Sequence, residues 1–182
     1  MISVSLFLVI IMSGMGALLN ANLLHQKSRD MRSIMDNLSF IMEDMSRNLR
    51  TGYGYRCLIG NSFSNISTPS SCLDGQGIAF ESASTLADIS NPNNQWVYSI
   101  SEGKIFKSTT GAQNFYQLTP EEIIVDPVSG FAVLGAESPL VSPHNYQQPF
   151  VTIRLVGKIV LKNNVISPFS LQTSVSQRLI DI

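Results

Sequence analysis

Residues 1–19, MISVSLFLVIIMSGMGALL, and residues 31–50, MRSIMDNLSFIMEDMSRNLR, decide the fold between them. The first stretch is apolar or small throughout, and no Lys, Arg, Asp or Glu occurs before Lys27. A helix crossing the ~30 Å hydrocarbon core of a bilayer needs ~20 such residues. Gly14 and Gly16 do not forbid this, because glycine is commoner in membrane helices than in soluble ones. A cleaved signal peptide would need a basic start and a small-x-small cleavage site followed by a break. Here Met1 runs straight into apolar residues and the helical pattern continues. The second stretch is apolar at Met31, Ile34, Met35, Leu38, Ile41, Met42, Met45 and Leu49, the spacing of one helical stripe. Charges fall mostly off that stripe, and Arg32 with Asp36 and Glu43 with Arg47 are opposite-charge pairs at i,i+4. No proline precedes Pro69, and Thr51-Gly52 supplies a stop. The expectation is one helix from about residue 2 to about residue 50, ~70 Å long at ~1.5 Å per residue. Its first half is a membrane anchor presenting Ile2, Leu6, Phe7, Ile10, Ile11 and Leu18. Its second half packs on a head through Ile34, Leu38, Ile41, Met45 and Leu49.

After Gly54 the composition changes. Short runs rich in β-branched and aromatic residues predict strands at 77–82, 95–100, 104–107, 115–119, 122–126, 130–134, 150–161 and 169–177. Ser101-Glu102-Gly103 reads as a hairpin turn. Stretches 84–94 and 136–149 read as irregular. The fold class is α+β: a long N-terminal helix over residues 1–50 packed on an antiparallel β-rich head over residues 51–182.

Cys57 and Cys72 flank a polar loop, where a buried structural thiol is not expected. A disulfide there stabilises by roughly 3 kcal/mol in the chain-entropy account and belongs to an oxidising compartment. Two unrelated free thiols are the alternative. The first cations after the span, Lys27, Arg29 and Arg32, would by the positive-inside rule hold the head in the cytoplasm, against the cysteines. A basic segment upstream would remove that conflict.

Net charge is −1 for 182 residues, which gives no reason to expect nucleic acid as a partner. Arg50-Thr51-Gly52-Tyr53-Gly54-Tyr55-Arg56 interleaves cations with rings and is the one stretch suited to a single strand. Packing of its tyrosines under the cysteine loop is the plainer reading. The histidines, His25 and His144, accompany no catalytic signature, and neither enzymatic activity nor a small-molecule substrate is expected. Asp74, Glu121, Glu122 and Asp126 are too scattered for a metal loop, and no cofactor is expected. Asn65-Ile66-Ser67 matches a glycosylation acceptor, a pattern common by chance.

Residues 2–19, ISVSLFLVIIMSGMGALL, with residues 31–50, 148–153 (QPFVTI) and 171–178 (LQTSVSQR), resemble type IV pilin-like proteins, in the J-type minor pseudopilin and minor-pilin branch. The first two stretches carry most of the resemblance. It implies a subunit of a type IV pilus or type II secretion-like filament that helps initiate assembly or caps the tip. Its partners would be other pilin-like subunits, the inner-membrane assembly platform and a prepilin peptidase that cuts a leader and N-methylates the new terminus. The head would lie outside the cytoplasm. The family's hallmark, a basic leader, Gly-Phe-Thr-Leu and then a glutamate, does not occur within these residues. Aligned on Leu6-Phe7, the glutamate falls about two residues before Met1, so the expectation is an internal methionine or a truncated start. A signal-anchored protein outside any filament, or a DNA-uptake minor pilin, are the alternative readings.

Overall fold

The computed structural model describes residues 2–60, 63, 66, 68–83, 91–137, 146–161 and 165–178. Asn65, His144 and much of the two irregular stretches lie outside them. One α-helix, α1, runs unbroken over Ile2–Thr51. Among the described residues ten strands follow: β1 Tyr53–Leu58, β2 Cys72–Gly75, β3 Gly77–Glu81, β4 Gln95–Ser101, β5 Lys104–Ser108, β6 Tyr116–Gln117, β7 Ile123–Val125, β8 Gly130–Leu134, β9 Phe150–Leu161 and β10 Val165–Ser176. The architecture is α+β, a long helix packed on antiparallel sheets.

The strands form two sheets, ordered β1-β3-β4-β5-β6 and β10-β9-β8-β2. In the first sheet, β4 and β5 are joined through Glu102 and Gly103, both at positive φ (51° and 72°). Two positive-φ residues are the mark of the type I′ hairpin turn. In the second sheet, β9 is shared: Phe150–Arg154 pairs with β8 and Gly157–Ile159 pairs with β7. Between these two partners the Ser129 hydroxyl fills the gap, donating to the Val156 carbonyl and accepting from its N–H, both at 2.8 Å. Gly157 is required where β7 passes, because a Cβ there would strike the Ile124 carbonyl and the Phe169 ring.

α1 and β10 run in the same direction. Asp30 and Ile34 lie beside Leu161, and Arg50 lies beside Ser176 and Arg178. The main core lies between the second half of α1 and both sheets. It joins Ile34, Leu38, Ile41, Met42, Met45 and Leu49 of α1 to Ile78, Phe80 and Tyr98 of one sheet and Phe131, Ile153 and Phe169 of the other. A smaller cluster, Leu58, Ile66, Ala79 and Val97 with Phe63 and Phe115, covers the opposite face of the first sheet. Residues read in sequence as a polar loop thus seal β3, which is buried along its whole length.

Candidate functional site

The first half of α1 presents an unburied apolar surface. An 18-residue window of it has mean hydropathy 2.3 and none of it is buried. Ile2, Leu6, Phe7, Ile10, Ile11 and Leu18 are all exposed, Phe7 at 62% and Ile10 at 59%. Exposed apolar surface on this scale marks a membrane or protein contact, and the length suffices to cross a bilayer.

The second half of α1 is seated on the head. Ile34, Leu38, Ile41, Met45 and Leu49 are buried together, joined by Met42 and flanked by half-buried Met31 and Met35. A polar clasp runs along one side of this stripe. The Asp44 carboxylate accepts from Lys107 Nζ, the Tyr98 hydroxyl and Asn48 Nδ2, each at 2.9 Å. Asn48 Nδ2 also lies 2.9 Å from the Tyr98 hydroxyl. The Lys107 ammonium sits 4.6 Å from the Trp96 ring centre and 5.3 Å from that of Tyr98, so its charge is held by one carboxylate and two ring faces. Burial pushes the Asp44 carboxyl up, but the bonds from Lys107 and Tyr98, the Lys107 charge and Asn48 outweigh it and hold the group below its ordinary value. Burial pushes the Tyr98 hydroxyl far up, so it stays a donor to Asp44. On the exposed face of the helix, Arg47 donates to Glu43 at 2.7 Å. Arg32 and Asp36 form no ion pair among the described residues.

The end of α1 is closed by the chain that leaves it. The Gly52 N–H donates to the Asn48 carbonyl at 2.9 Å. A Cβ at Gly52 would run into the Phe80 ring, so glycine permits the tight exit. The Tyr55 hydroxyl lies at the Leu49 and Gly52 carbonyls, satisfying acceptors that a helix end leaves open. Burial raises the Tyr55 hydroxyl strongly, which keeps it protonated for this task. Tyr55 and Arg56 are both buried, and the Arg56 guanidinium lies 3.3 Å from the Glu81 carboxylate with side-chain exposures of 0% and 1%. Arg50 is thus exposed at the end of α1 while Tyr55 and Arg56 are folded inward on β1, so the stretch offers no open run of cations and rings.

Cys57 on β1 and Cys72 on β2 are joined as a disulfide with Cα atoms 5.8 Å apart. Because β1 and β2 belong to different sheets, the bridge staples one sheet to the other. Gly75 makes room for it, since a Cβ there would collide with both sulfurs. Among the described residues no three His, Cys, Asp or Glu side chains gather as a metal site.

Sequence reasoning did not find the clasp. Asp44 and Asn48 are spaced at i,i+4 along the flank of the apolar stripe, which is a weak signal. Lys107 and Tyr98 lie more than fifty residues away and carry no signal linking them to the helix. Compared with protein-family models, curated proteins and solved structures, the chain matches none.

Proposed function

We propose that this chain is a pilin-like subunit: a membrane-anchored minor pilin or pseudopilin that helps start or cap a type IV pilus or type II secretion-like filament, with a structural rather than catalytic role. The observation that carries the reading is the continuity of α1. One helix is apolar and wholly exposed in its first half, yet buried against two sheets in its second, with no break between them. A plain anchor needs no stiff connection to its head. A subunit drawn from a bilayer into a helical bundle needs one, because the helix must carry the head's position with it. In that bundle, contacts between apolar helices replace the contacts with lipid. The disulfide supports a head in an oxidising compartment outside the cytoplasm.

The experiment is mass spectrometry of the amino-terminal peptide of the native protein, combined with fractionation of sheared surface filaments. The expected result is an N-methylated terminus left by removal of a short basic leader, with the protein present in the sheared fraction. An unprocessed terminus, with all of the protein remaining in the membrane, would overturn the proposal and leave a signal-anchored protein.

A further inference from the structure

We propose that the outer edge of β10 is a docking site for an extended, acidic-faced strand of a partner protein. Among the described residues the other sheet edges are blunted, and β7 has three residues. β6 has two residues and β2 has four. β1 is covered by Ser70, whose carbonyl accepts from the Cys57 N–H at 3.0 Å and whose N–H donates to the Tyr55 carbonyl at 3.1 Å. β10 differs: it is twelve residues long, contains no charged residue and, among the described residues, pairs with no strand but β9, the end of α1 meeting its outward side just past the strand, at Arg178. Long uncharged edges are what soluble proteins avoid unless something pairs with them.

The direction of its backbone groups follows from the ends of the strand. Gln177 donates its N–H to the Pro149 carbonyl at 3.1 Å, on the β9 side, whereas Arg178 donates to the Arg50 carbonyl at 2.9 Å, away from β9. The antiparallel ladder alternates, so Ile166, Ser170, Gln172, Ser174 and Ser176 direct their N–H groups outward. Among the described residues these N–H groups have no partner. Pro168 falls at an outward position, where its missing N–H costs no bond to β9. A row of open donors and acceptors of this kind is the recognition chemistry of strand addition.

Charge selects the occupant. Lys158 stands on the outer face of β9 opposite Pro168, Arg178 stands at the end of β10, and Arg154, opposite Gln172, adds a charge that no carboxylate neutralises although its guanidinium donates to the Val128 carbonyl on the β8 side. Neither strand has an acidic residue. A second copy of the chain would bring like charges together. It would also have to pair antiparallel, because a two-fold axis along the strands sets the pleats out of phase. Since α1 runs parallel to β10, that pairing would point the two anchors in opposite directions, which one bilayer does not permit. The occupant is therefore a strand of a different protein, with carboxylates on its outward face. The site does not require that partner to be a filament subunit.

The test uses the full chain in detergent micelles and two capped twelve-residue peptides, one alternating Val with Glu and one alternating Val with Lys. Amide hydrogen exchange is followed residue by residue. The Val–Glu peptide is expected to slow exchange at Ser170, Gln172 and Ser174 by roughly tenfold or more. The Val–Lys peptide is expected to leave it unchanged. Gln172→Pro removes an outward N–H without touching the β9 ladder and is expected to abolish the effect. Ser174→Pro serves the same purpose if the first variant unfolds. No slowing with either peptide, or equal slowing with both, overturns the proposal. Protection of β10 without peptide, accompanied by a doubled protein mass in light scattering, also overturns it and assigns the edge to a second copy.

Discussion

Arg56 and Glu81 face each other in the interior at 3.3 Å, with almost no solvent on either. Removing one partner of such a pair strands the other charge, at a cost of about 3–5 kcal/mol, whereas replacing both by apolar groups is close to neutral. Arg56→Met alone is thus expected to lower the denaturation midpoint sharply, and Arg56→Met with Glu81→Leu to recover most of the loss. Chemical denaturation in micelles reads both variants. Asp44 has a different balance because its side chain is one-third exposed. Asp44→Asn leaves Lys107 without its carboxylate and is expected to cost about 1–2 kcal/mol, below the usual value for charged hydrogen bonds because water screens the site. Its pH dependence has a definite sign. The folded-state pKa is depressed, so the stabilisation is complete above the ordinary carboxyl value and fades as pH falls from there through the folded-state value. The wild type should therefore lose stability more steeply than Asp44→Asn between neutral and strongly acid pH, as followed by thermal melts across that range.

Among the elements, the disulfide has the clearest consequence. It closes a loop between Cys57 and Cys72, fifteen residues apart in sequence, and ties β1 of one sheet to β2 of the other. Reduction, or Cys57→Ala with Cys72→Ala, is expected to cost roughly 3 kcal/mol, measured as a shift in the denaturation midpoint with and without reductant. How legible each element was in the sequence depends on how local its signal is. α1 was legible because its stripe and its polar face both repeat within a turn or two. β9 was legible because inward and outward residues alternate along its whole length. The sequence pattern starts β10 at residue 169, whereas the strand begins at Val165: Pro168 looks like a breaker, and only its place on a sheet edge makes it harmless. β1 and β2 carry no strand pattern in the sequence. Gly54 takes a positive φ, and the register slips between Tyr53 and Arg56, so alternation in β1 is lost. β2 is four residues with a register shift of its own. The clasp of Asp44, Tyr98 and Lys107 was not legible, because it joins three elements whose proximity only the packed sheets create.

On the scale of the whole molecule, α1 joins two solvents. Its first half suits hydrocarbon and its second half suits a protein core, and the two meet near Lys27 without a proline or a loop. Two substitutions separate what anchoring requires from what assembly requires. Ile10→Lys places an ammonium near the middle of the apolar span, where insertion scales charge about 2.5–3.5 kcal/mol. It is expected to release part of the protein into the carbonate-soluble fraction. Gln26→Pro acts at the junction instead. It removes one backbone donor and kinks the helix, but leaves the apolar stretch before it and the buried stripe after it unchanged. Membrane extraction and head stability should therefore stay at wild-type values. If the chain is only an anchored protein, nothing else changes. If α1 must transmit the position of the head into a helical bundle, Gln26→Pro abolishes recovery in sheared filaments while the protein still accumulates in the membrane. Normal incorporation of a stably folded Gln26→Pro variant would show that continuity of the helix is not what assembly uses, and would remove the observation on which the filament reading stands.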